Sequence, residues 1–224
     1  MKEPMNNKTV LVIGGGKYGA KACRYFKEQM ARVMLVDNDP ECQAREIVTS
    51  EDFFVKDAKD AWELALRIKP DFTVPTHPGH TFGKWLAECL RLKPFPESLS
   101  KVVERLPKSL VLGCDEANAT LISSYMPKGK LCREDCPPSR SMCTLTHEPR
   151  PAPLYRLLEY SIFELFDCGR IFATETVAVG IGAIKTTDIL AFMRQIEAVK
   201  PKTLAVGIAC ECHGALSLFK DKNS

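Results

Sequence analysis

The chain has 224 residues and a formal net charge of +3, and its Lys and Arg residues are spread along the sequence instead of forming a stripe. This length allows one elaborated α/β domain, or one domain with a smaller appendage. The even spread of charge argues against a nucleic-acid partner and favours small-molecule ligands.

Hydropathy and cysteine content bear on the compartment. No apolar run reaches the roughly 20 residues that a membrane span needs, and the first residues lead into a strand without the apolar segment of a signal peptide. We therefore expect a cytoplasmic protein with no membrane span. The ten cysteines are then expected to be reduced thiols or metal ligands.

The N-terminal part alternates predicted strands and helices. Continuous apolar runs, of the kind found in strands buried on both faces, are separated by segments with helical spacing of apolar residues. Such alternation predicts a parallel sheet. In chain order the pattern predicts strand Thr9–Ile13, helix 17–30, strand Arg32–Asp37, a helix from about Pro40, strand 52–55, helix 61–69 and strand 71–75.

The middle of the chain differs, because nine of the fifteen prolines lie between Pro94 and Pro153. From residue 154 the pattern predicts helix 154–166, strand 170–174, helix 187–199 and strand Thr203–Ala209. We predict a Rossmann-like, doubly wound α/β fold with a parallel sheet and a Pro/Cys-rich insertion. The expected domains are a nucleotide-binding domain 1–125, a metal-binding segment 126–153, and an α/β part 154–224 that completes the same sheet.

A glycine motif follows the first predicted strand. Gly14, Gly16 and Gly19 form G-x-G-x-x-G with Lys17 and Tyr18 between them. The first glycine permits a tight turn, the second lets a pyrophosphate approach the backbone, and the third lets the helix pack closely. The phosphates then meet the N–H groups at the start of the helix.

The second predicted strand ends in Asp37, about 20 residues further on, where an acid accepts hydrogen bonds from the adenosine ribose. A 2′-phosphate would be repelled there, and no Arg follows, because the next residue is Asn38. The pattern therefore predicts NAD(H) as the dinucleotide. Thr76, which follows the fourth predicted strand, is a further expected cofactor contact.

The segment from Val10 to Ala58 resembles the NAD-binding domain of TrkA-type potassium-uptake regulators. The resemblance is carried by the glycine motif, by Val36-Asp37 and by Lys56-Asp57-Ala58. It implies that Asp57 lies near the adenine, although the family has a glycine where this chain has Lys56, and it implies a homodimer. The Gly14-Gly15-Gly16 start also resembles precorrin-2 dehydrogenases.

Cysteines gather in two further segments. Cys132, Cys136 and Cys143 have C-x3-C-x6-C spacing, and Cys210 and Cys212 lie in a Cys-Glu-Cys-His run near the end of the chain. The first interval is typical of zinc sites, and Cys136-Pro137 resembles the end of ferredoxin motifs. His147 as fourth ligand favours zinc, whereas Cys210, Cys212 or Cys168 favours an iron–sulfur cluster.

Alternatively, the cysteines pack as small apolar residues, above all Cys23, Cys89 and Cys114.

Two histidines are candidates for acid–base catalysis. His77 follows a predicted strand, and His213 follows Cys212. If strand Thr203–Ala209 belongs to the first sheet, His213 and the two cysteines lie at the edge where a dinucleotide binds.

Two functions fit these features best, and a third alternative is a structural zinc module that carries a vacant Rossmann unit. The first is an NAD(H)-binding redox or regulatory protein with a Cys-ligated metal centre. The second is an NAD-dependent dehydrogenase that acts on a small acidic substrate.

Overall fold

The computed structural model describes residues 5–77, 80–130, 141–143 and 145–222, which form a mixed α/β architecture with two sheets. Within these residues no helix has the length and apolar character needed to cross a membrane. The strands are β1 Thr9–Ile13, β2 Arg32–Asp37, β3 Phe53–Val55, β4 Phe72–Pro75, β5 Leu92–Pro94, β6 Val111–Asp115, β7 Thr120–Ser124, β8 Cys168–Ala173, β9 Glu175–Ala178, β10 Ile181–Lys185, β11 Thr203–Ala209 and β12 His213–Asp221. The helices are α1 Lys17–Glu28, α2 Ala58–Ile68, α3 Thr81–Cys89, α4 Leu99–Glu104, α5 Leu154–Ile162 and α6 Thr186–Val199.

The chain divides into two compact units. The first unit contains Met1–Thr81 and Glu175–Ala191, and the second contains Phe82–Thr174 and Phe192–Ser224. The division therefore falls after Thr81, whereas the sequence analysis placed it after residue 125.

The first unit is built on a six-stranded sheet in the order β3-β2-β1-β4-β10-β9. The strands β3, β2, β1 and β4 are parallel, and β10 runs antiparallel to both β4 and β9. β1 lies between β2 and β4, and its last four residues are fully buried, as a continuous apolar run requires. α1 packs Ala22, Cys23 and Phe26 into the core on one face of this sheet.

The second unit is built on a sheet in the order β6-β7-β12-β11-β8, with β5 also paired to β12. β11 is parallel to β8 and forms an antiparallel hairpin with β12. α5 buries Leu154, Leu158 and Ile162 in a core shared with the central strands. The sheet thus positions residues 210–213 as the turn of a hairpin.

The α/β class predicted from sequence is confirmed, and β1, β2 and β11 have the predicted bounds. The prediction that strands 170–174 and Thr203–Ala209 complete the first sheet is wrong, because they lie in the second sheet as β8 and β11. The edge of β4 is instead covered by the antiparallel β10. The helix predicted from Pro40 is also wrong, since the described structure there is a short 3₁₀ turn, Arg45–Ile47.

Candidate functional site

The glycine motif of the first unit forms the turn between β1 and α1. Gly14 has φ +101°, and a Cβ on it would lie 2.9 Å from the Thr76 Oγ1, so the position requires glycine. A Cβ on Gly19 would overlap the carbonyl oxygen of Gly14. The first and third glycines are therefore needed for the turn and for the close packing of the helix, as predicted.

Gly16 differs from both of them. It precedes the first residue of α1 with ordinary backbone angles, and a Cβ there would meet no atom within 4 Å. No side chain caps the helix, and its first turn contains no acid. The space beside Gly16 at the N-terminal end of α1 is therefore open, and the N-terminal end of a helix is suited to an anion.

Asp37, at the end of β2, is tied to the glycine loop. Its Oδ2 accepts a hydrogen bond of 2.5 Å from the Gly15 N–H, and its Oδ1 accepts one of 2.8 Å from the Asp39 N–H. Asn38 is exposed beside it. The predicted acid and the predicted loop therefore meet, and each fixes the position of the other.

Two thiols lie behind the loop. Cys42 is buried where a Cβ on Gly15 would collide with it. Burial raises the pKa of Cys42, and burial followed by the influence of Cys42 raises the pKa of Cys23 to about 12. These are neutral packing residues, as predicted for Cys23. Cys89 and Cys114 are exposed, so the prediction that they are packed is wrong.

A cleft of about 240 Å³ adjoins the loop. Thr76 lines it, and its hydroxyl donates a hydrogen bond of 2.8 Å to the Gly14 carbonyl. Tyr18 and His77 line it too, and the opposite wall is Gly180–Gly182 at the turn between β9 and β10. Sequence reasoning missed this wall, for which the only signal was the glycine pair flanking Ile181.

Two other predicted contacts are exposed near the loop. Lys17 begins α1, and Asp57 precedes α2. The Lys56 N–H donates a hydrogen bond of 3.0 Å to the Asp37 carbonyl, which brings residues 56–57 to the same sheet edge as Asp37. The structure thus gathers the predicted cofactor residues at one edge of the first unit.

The second unit contains a cysteine turn between β11 and β12. The Cys210 sulfur accepts hydrogen bonds from the N–H groups of Cys212, at 3.3 Å, and His213, at 3.2 Å. It also lies 3.7 Å from the His213 Nδ1. Hydrogen bonding from the Cys212 side chain, and then from His213, lowers the pKa of Cys210 to about 4 in spite of its burial. The turn therefore stabilises a thiolate.

Cys143 and residues 145–148 belong to a second turn of the same kind. The Cys143 N–H donates to the Glu148 carbonyl at 2.9 Å, and the His147 N–H donates to the Cys143 carbonyl at 2.9 Å. Burial would raise the pKa of Cys143, but hydrogen bonds from the Thr146 hydroxyl and from the Thr146 and Leu145 N–H groups outweigh it and lower the pKa. In both turns the sulfur of residue i accepts the N–H groups of residues i+2 and i+3.

Arg150 links the Cys210–His213 turn to Met142, the residue that precedes the second turn. Its guanidinium donates hydrogen bonds to the Cys212 sulfur and to the Met142 carbonyl. Arg150 is only 5% exposed, and its Nε is buried without a hydrogen-bond partner among the described residues. The turns at Cys143 and at Cys210–His213, together with Arg150, are called the cysteine centre below. Sequence reasoning did not identify Arg150 as part of it.

The predicted metal ligands are only partly placed. Cys132 and Cys136 lie outside the described residues. His147 is exposed in the Cys143 turn, and Cys168 is buried in β8. Among described residues no group of three His, Cys, Asp or Glu side chains is close enough to hold a metal ion as they stand.

The protein is therefore an α/β protein of two units, with a glycine loop in the first unit and a cysteine turn in the second. Residues 10–81 match a family described as "Uncharacterized protein, N-terminal domain", and residues 82–222 match its companion, "Uncharacterized protein, C-terminal domain". The chain belongs to this two-domain family. It is also 27% identical, over 94% of its length, to an "Uncharacterized protein" of Archaeoglobus fulgidus, 98% of which is covered.

These matches overturn the suggested relationship to TrkA-type regulators. The N-terminal third is matched by the N-terminal domain of its own family, and the family extends over the rest of the chain. The assignment was wrong because glycine loops of this kind occur in many nucleotide-binding domains. The homodimer rested on that assignment and loses its support with it.

Proposed function

We propose that this protein binds NAD(H) at the glycine loop of its first unit and acts as a redox or nucleotide-sensing protein. The observation that carries the proposal is Gly16, which leaves the start of α1 open beside an acid held at the end of β2. An anion of the pyrophosphate type would fill that space and accept hydrogen bonds from the helix N–H groups.

The choice of NAD(H) rests on Asp37. Its carboxylate already accepts N–H groups from Gly15 and Asp39, but a carboxylate has about four acceptor positions. Those that remain are available to two ribose hydroxyls. A 2′-phosphate would bring a second negative charge close to the carboxylate, which favours NADH over NADPH.

The strand order supports a Rossmann-like reading of this unit. The parallel strands run β3-β2-β1-β4, which is the first part of the Rossmann strand order 3-2-1-4-5-6. The cleft beside Thr76 lies at the carboxyl ends of β1 and β4, on the other side of the loop from Asp37. This is where the nicotinamide end of a dinucleotide would lie in a sheet with this strand order.

The test compares two glycine-to-alanine variants. We expect Gly16→Ala to weaken NADH binding at least tenfold in calorimetry while it keeps the wild-type melting temperature, because the new methyl group enters only the space meant for phosphate. Gly113→Ala is the matched control, since a Cβ at Gly113 also meets no atom within 4 Å. Equal NADH affinity in all three proteins, or no NADH binding by the wild type, would overturn the proposal.

The cleft favours a second candidate function, that of an NAD-dependent dehydrogenase. His77 lines the cleft where a substrate would meet the nicotinamide, and a neutral imidazole is suited to accept the hydroxyl proton during hydride transfer. We expect His77→Asn to abolish NADH production from a panel of small 2-hydroxy acids while NADH still binds. If the wild type binds NADH but turns over no acid of the panel, the dehydrogenase function is excluded and the sensing role remains.

A further inference from the structure

The hairpin turn 210–213 of the cysteine centre is independent of the dinucleotide proposal, because it lies in the second unit. It connects β11 to β12, whose pairing ends at Ala209 and Gly214. The Cys210 N–H donates to the His213 carbonyl at 2.8 Å and closes the turn. Two cysteines separated by one residue are thereby held in a turn of four residues.

Neighbouring elements hold the backbone of this turn. The Glu211 carbonyl accepts the N–H of Leu154, the first residue of α5, at 2.9 Å. The Cys212 carbonyl accepts the N–H of Tyr125, the residue that follows β7, at 3.0 Å. A chemical step at the cysteines can therefore proceed by rotation of side chains on a backbone that stays in place.

The two sulfurs have different surroundings. The Cys210 sulfur accepts the N–H groups of Cys212, at 3.3 Å, and His213, at 3.2 Å, and it lies 3.7 Å from the His213 Nδ1. The Cys212 thiol donates a hydrogen bond to the Cys210 sulfur. In the reduced pair Cys210 is therefore the thiolate and Cys212 is the thiol, with one proton between the two sulfurs.

Arg150 gives the Cys212 sulfur a cationic neighbour. Its guanidinium donates a hydrogen bond to this sulfur, and its side chain is only 5% exposed, so solvent screens the contact weakly. A guanidinium favours the charged form of a nearby thiol. Once Cys210 has reacted and lost its charge, Cys212 can therefore release its proton and act as the second nucleophile.

The spacing of the pair allows a bond between its sulfurs. Consecutive Cα atoms lie about 3.8 Å apart, so residues i and i+2 of a closed turn meet the limit of about 7 Å for a disulfide. The Cys210 sulfur already lies 3.3 Å from the Cys212 backbone nitrogen. Both cysteines are half-buried, whereas Cys143 and Cys168 are buried, so a small reagent can reach the pair.

We propose that Cys210 and Cys212 form a redox-active dithiol that reduces disulfides of low molecular weight. Cys210 attacks one sulfur of the substrate, so that the substrate S–S bond breaks, a mixed disulfide forms on Cys210 and the first half leaves as a thiolate. Cys212 then loses its proton and attacks the Cys210 sulfur, which forms the Cys210–Cys212 disulfide and releases the second half. The two released thiolates take up the proton of Cys212 and one from solvent. The substrate gains the two electrons that the cysteine pair loses.

The test uses the full chain, reduced with dithiothreitol, freed of reductant and kept without oxygen. The protein is mixed with bis(2-hydroxyethyl) disulfide, and peptide mass spectrometry locates the modified cysteines over time. We expect a Cys210–Cys212 disulfide that forms at least tenfold faster than the mixed disulfide on Cys114, an exposed cysteine outside the turn. Absence of the Cys210–Cys212 bond, or a rate no higher than that at Cys114, would overturn the proposal.

Two serine variants separate the steps. Cys212→Ser should stop the reaction at the mixed disulfide on Cys210, because the second nucleophile is missing. Cys210→Ser should react at Cys212 at least tenfold more slowly than the wild type reacts at Cys210, because the first nucleophile is missing. Cys114→Ser is the matched control and should form the Cys210–Cys212 bond at the wild-type rate. A mixed disulfide on Cys212 of the wild type, with none on Cys210, would contradict this order of attack.

The wild-type measurement needs no variant, so it decides the proposal even where a variant does not fold. The metal content of the same anaerobic sample is measured before the reagent is added. Metal-free protein that forms the Cys210–Cys212 bond supports the dithiol. Stoichiometric metal that keeps both cysteines from reacting until a chelator is added would show that the pair is a ligand set instead. Neither result depends on NADH, so the dithiol and the dinucleotide proposals stand or fall separately.

Discussion

Asp37 has one observed role and one proposed role. It accepts N–H groups from Gly15 and Asp39, so it shapes the loop, and in the proposed complex it also accepts hydrogen bonds from the ribose. An Asp37→Asn variant keeps an acceptor oxygen but loses the charge. The change separates the effect of charge on nucleotide choice from the effect of shape on the loop.

We expect Asp37→Asn to reduce the preference for NADH over NADPH about tenfold, which corresponds to about 1.4 kcal/mol, because the repulsion of the 2′-phosphate is removed. Competitive calorimetry with both nucleotides measures the ratio. Asp39→Asn is the control. It removes the same charge from the exposed carboxylate of Asp39, which lies two residues after Asp37. An unchanged ratio in Asp37→Asn would mean that this acid does not contact the ribose.

The residues of the two candidate sites were not equally predictable from the sequence. Gly14, Gly16, Gly19 and Asp37 were found because a dinucleotide loop needs those residue types at fixed spacing. Arg150 was not placed at the cysteine centre, because it lies in a Pro-rich segment without periodicity and pairs with Cys212, 62 residues further along the chain. Only folding brings such a residue to its place.

At the scale of elements, Asp71, which directly precedes β4, is bonded to the start of β1. Its carboxylate accepts the Thr9 N–H at 2.8 Å and the Lys8 Nζ at 3.2 Å. Burial would raise the pKa of Asp71, but these partners outweigh it and lower the pKa below the ordinary value of 3.8. The charged form is therefore the one that stabilises the fold.

Asp71→Asn is expected to lower the free energy of unfolding by about 1 kcal/mol at pH 7, a modest amount because the side chain is 38% exposed and solvent screens it. The stabilisation is present above the unfolded pKa and is lost as the pH falls through the lowered folded pKa. Urea unfolding from pH 7 to pH 2 should therefore show the two proteins converging below about pH 4. A constant difference, or the same behaviour in a variant of the exposed Glu63, would contradict this role.

Element prediction succeeded where burial dictates a pattern. β1, β2 and β11 are continuous apolar runs buried between neighbours, so the sequence gives their bounds directly. β9 and β10 are short and flank a glycine turn, and they were missed. The false helix after Asp37 has a local cause, because Asp37 and Asp39 bond the N–H groups two residues ahead and hold a turn.

At the scale of the molecule, the chain leaves the first unit after Thr81 and returns to it for Glu175–Ala191. The return supplies β9 and β10, and β10 covers the edge of β4. No local pattern predicts this, because a partner more than a hundred residues away determines which strand occupies that edge. Because β10 occupies this edge, β8 and β11, which were expected to extend the first sheet, belong to the second sheet instead.

NADH is proposed to bind within the first unit, which gives a prediction for the whole molecule. Amide hydrogen exchange reports the stability of each region separately. We expect NADH to slow exchange in the glycine loop and the first turn of α1, in the first unit, because bound phosphate holds those N–H groups. Exchange at residues 210–213 of the second unit should not change when NADH is added.

The pattern of exchange tests where the ligand binds. Protection confined to the first unit supports the dinucleotide proposal, and Gly16→Ala should abolish that protection. If NADH instead slowed exchange chiefly at residues 210–213, the ligand would bind at the cysteine turn, because protection by a bound ligand is strongest where its contacts hold the backbone.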